Sequence, residues 1–300
     1  MNTFKLIIIL LLSNLMISQT RDSIRVDKNL TIYESDVITI DDESYTDSES
    51  GEGNYTGNQK TGQWKYYYTD KKLWKIGIYK NDLKEGTWKI YYRNGKLRRI
   101  ENYSNGKKKG ESISYHSNGE QFIKSNYEND LVSGKWIQYY KNKNVCEQGE
   151  YKNNNKIGKW VTFHENGTIY TEEFYDEGIK VGKHIVYSEN GNIESEKIYK
   201  NDGKDYLILY YHENGKISQE ANYKNNFKNG ITCKYHLDGS IFMKMTFDYD
   251  SLIEIIEYND VNGKKLDIGT FSKGNGFLNV YDETGNLINT VEFSNGKMKR

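Results

Sequence analysis

Residues 86–109 read GTWKIYYRNGKLRRIENYSNGKKK, and this 24-residue stretch decides the fold. Two eight-residue runs, GTWKIYYR and KLRRIENY, flank the pair Asn94-Gly95. Asn-Gly between alternating apolar runs is the strongest short-range hairpin signal, because a type I′ turn needs positive φ at both central residues. Trp88 and Ile90 recur at period two, which is typical of a strand and not of a helix. The stretch therefore predicts one β-hairpin.

The same pattern returns about ten times at a fixed step of 24 residues, and a period of this kind marks a repeat protein. We expect an all-β fold: an elongated, single-layer antiparallel meander of about ten tandem 22–24-residue hairpins. At 4.8 Å per strand, about 20 strands extend roughly 90–100 Å. The opening glycine of each unit marks the step, with Tyr206 replacing it once: Gly62, Gly86, Gly110, Gly134, Gly158, Gly182 and Gly230.

The repeat weakens towards the end of the chain. Glu254 occupies an opening glycine position, and the next opening, Gly276, comes two residues early. A shortened connection of this kind predicts that the last unit is a cap, because terminal repeats must cover an otherwise open sheet edge.

The first residues differ in composition from the repeats. Lys5 precedes the apolar run 6–12, which is long enough for a signal peptide and too short for an ordinary membrane span. We expect a signal peptide over 1–18, cleaved near Ser18–Gln19, and a secreted, periplasmic or cell-envelope location. An uncleaved membrane anchor is the alternative. Residues 19–52 form an acidic segment, with strand-like stretches at 30–33 and 37–40, and the repeat domain spans 53–298.

The composition excludes several classes of protein. Only 36% of residues are hydrophobic and the net charge is zero, which argues against a large globular core and against a nucleic-acid partner. Cys146 and Cys233 fall seven strands apart in the meander, about 34 Å, so they cannot form a disulfide bond.

No pattern in the chain predicts catalysis, a metal or a cofactor. His116, His164, His212 and His236 share one register, but neighbouring units lie about 10 Å apart, too far for two ligands of one zinc ion. We interpret these rings as replacements for tyrosine. The glycines follow turn geometry and are not followed by a helix, and no nucleophile elbow occurs.

Two repeated surfaces are candidate binding sites. Lysines recur in the loop register and predict a basic track for an acidic partner or an anionic surface; Lys156, Lys180 and Lys204 are the chosen residues. The alternative is that they are soluble loop residues copied with each unit. Aromatic rings recur on one strand face and either bind a partner or stack to hold the sheet together. They are Tyr67, Tyr91, Tyr115, Tyr139, Phe163, Tyr187, Tyr211 and Tyr235.

The pattern G-x-W-x-x-Y-Y-x-N-G-K resembles the bacterial variant of the MORN repeat. It reads GTWKIYYRNGK from Gly86 and GKWVTFHENGT from Gly158, while GKWIQYYKNKN from Gly134 has lost the turn glycine. Ser112, His184, Ile208 and Thr232 depart from it at the tryptophan position. The resemblance covers about residues 53–298. It implies stacked hairpins and protein–protein contacts, and bacterial relatives carry antitoxin-like names.

From these patterns we expect an exported, non-enzymatic scaffold that presents an aromatic and charged sheet surface to a protein. A module that binds envelope polysaccharide or an anionic membrane surface is the alternative, and a hydrolase is the third hypothesis.

Overall fold

The computed structural model describes residues 51–200 and 203–299, and this part of the chain is all-β. The predicted leader and acidic segment lie outside the described residues, except for the first residues of β1. The described residues contain no helix long and apolar enough to cross a membrane.

Twenty strands form one open antiparallel sheet, in which successive hairpins follow the chain order. The first ten are β1 (Gly51–Thr56), β2 (Gln59–Tyr67), β3 (Leu73–Lys80), β4 (Leu83–Tyr91), β5 (Leu97–Ser104), β6 (Lys107–Lys108), β7 (Gly110–Tyr115), β8 (Gln121–Glu128), β9 (Leu131–Val132) and β10 (Gly134–Tyr139). The next ten are β11 (Val145–Lys152), β12 (Asn155–Phe163), β13 (Ile169–Asp176), β14 (Ile179–Tyr187), β15 (Ile193–Lys200), β16 (Asp205–Tyr211), β17 (Ile217–Lys224), β18 (Phe227–Tyr235), β19 (Ile241–Asp248) and β20 (Ser251–Tyr258). The predicted meander is confirmed.

The sheet ends at β20, earlier than the repeat pattern. The last hairpin forms a separate three-stranded sheet of β21 (Gly276–Tyr281), β22 (Leu287–Ser294) and β23 (Lys297–Met298). Its Leu278 and Phe293 pack with Met245 and Leu252 of the long sheet in one buried cluster. The Leu252 amide also donates to the Gly296 carbonyl (2.9 Å), so the terminal unit lies against the last strand.

The Asn-Gly turns differ in type from the prediction, and the type I′ geometry occurs in the connections between units instead. In the Asn-Gly turns only the glycine has a positive φ (81° at Gly95). The Tyr92 amide donates to the Lys96 carbonyl and the Gly95 amide donates to the Tyr92 carbonyl, so the type I′ prediction for Asn94-Gly95 is wrong. This geometry is a type I turn followed by a glycine bulge. The type I′ turns are the connections between units, where Asn81 and Asp82 both have positive φ (50° and 64°).

The opening glycines mark bulges on the loop side of each unit. Gly86 has φ 64°, and the pairing of β3 with β4 slips there, between Ile76 and Ile78. Tyr206 takes the glycine position in β16, where β15 and β16 pair without any slip in register. Because bulges increase the local twist, the glycines repeat a twist in nearly every unit.

Candidate functional site

The two faces of the long sheet differ in exposure. One face, here called the Trp face, carries Trp64, Trp88 and Trp160, which are exposed by only 2%, 1% and 1%. Each of these rings packs edge to face against a tyrosine of a neighbouring strand. For example, the ring centroids of Tyr79 and Trp88 are 5.0 Å apart. A sheet with a single layer buries these rings because side chains of the same face fold over them.

Lysines of the predicted basic track cover the Trp face. The Lys84 ammonium lies 5.0 Å from the centre of the Trp88 ring, and that of Lys156 lies 4.0 Å from Trp160. Such cation–π contacts contribute about 0.5–2 kcal/mol each. Lys156 also pairs with Glu147 (2.8 Å). The charge of these two lysines therefore serves the sheet itself.

The other two lysines chosen from the sequence differ in their surroundings. The Lys180 ammonium lies 2.7 Å from the Glu173 carboxylate, on the Trp face. Lys204 is exposed at the edge of the sheet that holds the connections between units. Binding of an acidic partner or an anionic surface by Lys156, Lys180 and Lys204 stays a prediction.

Each fully buried tryptophan fits over a glycine of the preceding strand. A Cβ atom at Gly53, Gly77 or Gly149 would overlap the indole ring of the tryptophan 11 residues later. Where the tryptophan is replaced, the earlier position carries a side chain: Glu101 precedes Ser112, and Glu173 precedes His184. We missed this pairing in the sequence, although the constant 11-residue offset was the signal that could reveal it.

A charged cluster occupies the Trp face where His184 replaces tryptophan. His184 is 5% exposed, and its Nδ1 lies 3.4 Å from the Glu173 carboxylate, which also accepts from Tyr175 (2.6 Å) and Lys180. Burial lowers the pKa of His184 to about 4, against the opposing effect of Glu173. Burial by itself would raise the pKa of Glu173, but Lys180 and His184 bring it below its usual value.

The opposite face, here called the Tyr face, holds the predicted aromatic column. All eight rings from Tyr67 to Tyr235 are half-buried. In three successive units the hydroxyl bonds a glutamate on the neighbouring strand, as in the 2.8 Å bond from Tyr235 to Glu220. Burial and the nearby carboxylate raise the pKa of the ring hydroxyl in each: Tyr187 with Glu172, Tyr211 with Glu196 and Tyr235 with Glu220.

The Tyr face also carries charged pairs and exposed apolar side chains. Lys159 lies 2.6 Å from Glu172 and Lys183 lies 3.2 Å from Glu196, both pairs between adjacent strands. Ile78 and Ile231 are 47% and 43% exposed. The Tyr face is therefore the open face, and it combines rings, charges and apolar groups. The structure places all eight aromatic residues of the predicted column, Tyr67 to Tyr235, on it.

The shared histidine register forms a latch between units. His212 Nε2 lies 3.1 Å from the carbonyl of Tyr235, 23 residues later, and His164 Nε2 lies 3.3 Å from that of Tyr187. Tyr140 in the same register donates to the Phe163 carbonyl (2.7 Å). Since a carbonyl only accepts, Nε2 of each histidine carries the proton. The rings thus replace tyrosine, as interpreted from the sequence.

Metal and thiol chemistry find no support in the described part of the chain. Residues 51–200 and 203–299 hold no group of three or more metal-ligating side chains. Cys146 and Cys233 are free and buried, which confirms that they do not pair. A shallow depression of about 630 Å³ lies beside Gly110 and Gly134, where β6–β7 and β9–β10 interrupt the regular strands. Its mixed polar and apolar lining is open to solvent and presents no catalytic arrangement.

These features define a class: an open, tandem β-hairpin repeat protein with one closed and one open face. A family model described as the MORN repeat variant matches six segments, at 60–81, 84–105, 133–153, 156–177, 180–201 and 207–225. The chain is therefore a tandem MORN-variant repeat protein, and its units form a repeat-based scaffold.

The chain is similar to two solved structures, "Crystal Structure of TcdB2-TccC3" and the same complex "without hypervariable C-terminal region", each at 11% identity and a TM-score of 0.18. The matches cover 80% and 83% of this chain but only 16% and 17% of those chains. The chain therefore spans about one sixth of the proteins it matches. No curated protein matches it.

Proposed function

We propose that this protein is an exported, non-enzymatic scaffold whose Tyr face binds a protein partner. One observation carries the proposal: the Trp face is closed by its own rings and lysines, whereas the Tyr face repeats a half-exposed aromatic ring in every unit. MORN repeats are typically binding modules without a catalytic role, which supports the same conclusion.

The Tyr face suits binding because its rings are held in place before a partner arrives. The glutamate bonds to Tyr187, Tyr211 and Tyr235 restrict the rotation of these rings. A restricted side chain loses less conformational entropy on binding, so more of its contact energy appears as affinity. Tyrosine is also among the residues that dominate binding energy in interfaces.

The charged groups on the same face would set the orientation of the partner. Lys159 and Lys183 are about half exposed, with side-chain exposures of 46% and 53%. Charges at a rim mainly raise association rates and reject wrong partners. We therefore expect binding to weaken with salt but not to vanish.

The test compares two double variants in retention of proteins from the producing cell's envelope and medium. Tyr187→Ala with Tyr211→Ala removes two neighbouring rings of the Tyr face. The control, Leu237→Ala with Leu287→Ala, removes two exposed apolar groups, one beside the turn at Gly239 and one in the small terminal sheet. We expect a protein retained by the wild type and the control to be lost with the tyrosine variant. Equal retention by all three proteins rejects the Tyr face as the binding surface.

A glycan array and anionic vesicles form the parallel arms of this test. Binding of a defined oligosaccharide that is lost with the tyrosine variant would favour the polysaccharide hypothesis over a protein partner. Robust hydrolysis by the purified chain would overturn the non-enzymatic assignment.

Export is tested separately, by the mass of the chain recovered from cell fractions. We expect a product that begins near Gln19, outside the cytoplasm. A chain that retains Met1 in the cytoplasm contradicts export.

A further inference from the structure

Three successive rings of the Tyr face have surroundings unlike those of the other tyrosines. The position 15 residues before each ring lies on the neighbouring strand. There a glutamate bonds the hydroxyl of four rings: Tyr67, Tyr187, Tyr211 and Tyr235. The remaining three tyrosines have Ile76, Ile100 and Lys124 at that position, and Lys124 is paired with Glu111 (2.7 Å). We call these three rings the neutral column: Tyr91, Tyr115 and Tyr139.

The hydroxyl groups of the neutral column are not used within the described part of the chain. In residues 51–200 and 203–299, none of the three donates a hydrogen bond to a side chain or a carbonyl. A tyrosine hydroxyl both donates and accepts. Each of the three can therefore donate to a carbonyl oxygen of a bound chain, whereas the glutamate-bonded hydroxyls already donate.

Aliphatic side chains line the space between Tyr91 and Tyr115. Leu97 pairs directly with Tyr91, and Ile100 pairs directly with Ile113 of the next strand. Directly paired residues of antiparallel strands lie on the same face, and alternation places Ile113 on the face of Tyr115. All five side chains are half-buried. The rings and the aliphatic groups together form an apolar strip that crosses the strands.

The spacing of the rings selects the conformation of a chain bound along this strip. Successive units are two strands apart, about 9.6 Å. A polyproline II helix has three residues per turn and rises about 9.3 Å in that turn. Two turns of an α-helix rise about 10.8 Å, and the side chains on one face of a β-strand recur every 6.6 Å or so. Of the three conformations, polyproline II comes nearest to placing an equivalent residue over each ring.

We infer that the neutral column binds a proline-rich segment of another protein in the polyproline II conformation, with one turn over each ring. Aromatic-lined surfaces are the general means of recognising such segments. Because polyproline II has no internal hydrogen bonds, its carbonyls are free to accept from the three hydroxyls. The chain itself contains no proline, so a second copy cannot supply the segment. The inference rests on the proposed function, since it names the partner of the same face.

The glutamate-bonded rings suit this segment less well. Carbonyl oxygens placed over Tyr187 or Tyr211 would lie near the carboxylates of Glu172 and Glu196, with no free hydroxyl to accept from. The segment is therefore confined to three turns, about nine residues and about 28 Å. The rest of the partner covers the glutamate-bonded rings, so the whole partner needs both parts of the Tyr face and the isolated segment needs only the neutral column.

Fluorescence anisotropy of a labelled peptide of twelve prolines, with the full chain, tests the inference. We expect a dissociation constant of roughly 1–100 µM, because nine residues cover less than a standard interface. A peptide of six Gly-Ser pairs should bind at least tenfold more weakly, since it must lose more conformational entropy.

Two double variants locate the site of the peptide. Tyr91→Ala with Tyr115→Ala is expected to raise the dissociation constant tenfold or more. The matched control, Tyr187→Ala with Tyr211→Ala, removes two rings of the same register outside the neutral column and should change it less than twofold. Tyr91→Phe with Tyr115→Phe keeps the rings and should weaken binding roughly threefold to tenfold through the lost donors.

Three results overturn the inference: no binding of the proline peptide by the wild type, equal binding of the Gly-Ser peptide, or equal weakening by the two alanine variants. The outcome is separable from that of the proposed function. An envelope protein lost with Tyr187→Ala and Tyr211→Ala, but no binding of the proline peptide, supports the proposed function and rejects the inference. Binding of the peptide at the neutral column, with retention of envelope proteins unchanged by that variant, supports the inference and rejects the proposed test surface.

Discussion

At the scale of single residues, the fit of glycine against tryptophan decides which units are tightly closed. Gly77 has no positive φ, so its backbone would accept any residue, and only the indole of Trp88 excludes a side chain. We expect Gly77→Ala to destabilise the protein by about 1–3 kcal/mol, the usual cost of overpacking. The measurement is urea unfolding, with Ser125→Ala at the same register as control. An unchanged midpoint for Gly77→Ala would contradict the fit.

His184 makes stability depend on pH. Its pKa is about 4 in the folded chain and 6.5 in the unfolded chain, so between these values the unfolded chain binds more protons. Stability is therefore complete above pH 6.5 and falls as the pH drops towards 4, by up to about 3 kcal/mol. Glu173, Lys180 and Lys197 are the charged groups that act on the ring.

The measurement for His184 is unfolding free energy at several pH values for the wild type and His184→Leu. We expect the unfolding free energy of the variant to depend less steeply on pH between 6.5 and 4, and the difference in slope corresponds to at most one proton. Parallel curves for the two proteins would show that His184 does not titrate in this window.

Residue type indicates the face of each side chain but not the groups that it contacts. The face of each aromatic ring followed from period-two alternation, and the structure agrees. The contacts of the lysine side chains could not be predicted in the same way. The register of Lys156 predicts a solvated loop residue, yet its ammonium lies over the Trp160 ring. A long, flexible side chain can reach across a strand, and residue type alone does not reveal which way it turns.

At the scale of the hairpin, two turns lack the residue that their geometry favours. Lys71 and Lys143 occupy the turn-glycine position with φ 66° and 75°, a conformation that costs a non-glycine residue roughly 1 kcal/mol. We expect Lys143→Gly to stabilise the protein by about 0.5–1 kcal/mol in thermal or urea unfolding. The reverse exchange in the next unit, Gly167→Lys, is the matched control and should destabilise by a similar amount. If Lys143→Gly does not stabilise the protein and Gly167→Lys does not destabilise it, the backbone at Lys143 is not strained.

The hydrogen bond that joins one hairpin to the next contributes to stability. Tyr140→Phe removes the hydroxyl that donates to the Phe163 carbonyl, and we expect a loss of about 1 kcal/mol. Tyr139→Phe leaves that bond intact and serves as the control in the same unfolding measurement. If both variants lose the same stability, the latch is not what holds the two units together.

The turns show why an element can be predicted while its type is not. Asn-Gly is compatible with a two-residue type I′ turn and with a type I turn followed by a bulge. The choice depends on which strand residues pair, and Tyr92 pairs with Lys96 across a longer turn. Sequence places the hairpin, but the pairing register is a property of the assembled sheet.

At the scale of the molecule, the terminal unit closes the end of the sheet. Leu278 is 1% exposed and packs against Leu252 and Met245, so Leu278→Ala is expected to cost about 2–4 kcal/mol. Since each unit contacts mainly its neighbours, amide exchange should quicken first in β18–β23 and leave β2–β5 protected. Leu287→Ala, at a residue 57% exposed in the same small sheet, is the control. Uniform acceleration along the whole chain would contradict this picture.

The order of strands was predictable because each pairing is local, whereas the end of the sheet was not. The repeat pattern continues through Phe271 and Gly285, yet residues 259–275 form only isolated bridges. The last hairpin packs against the apolar cluster around Met245 and forms a sheet of its own. The free energy of this packing comes from contacts between residues that are distant in sequence, which a periodic pattern does not reveal.

The fixed 23-residue latch has a consequence for how the length of this protein can change. Because six units bond their successors through this position in the same way, a duplication of 24 codons adds a unit without disturbing the others. Each addition lengthens the sheet by two strands, about 10 Å.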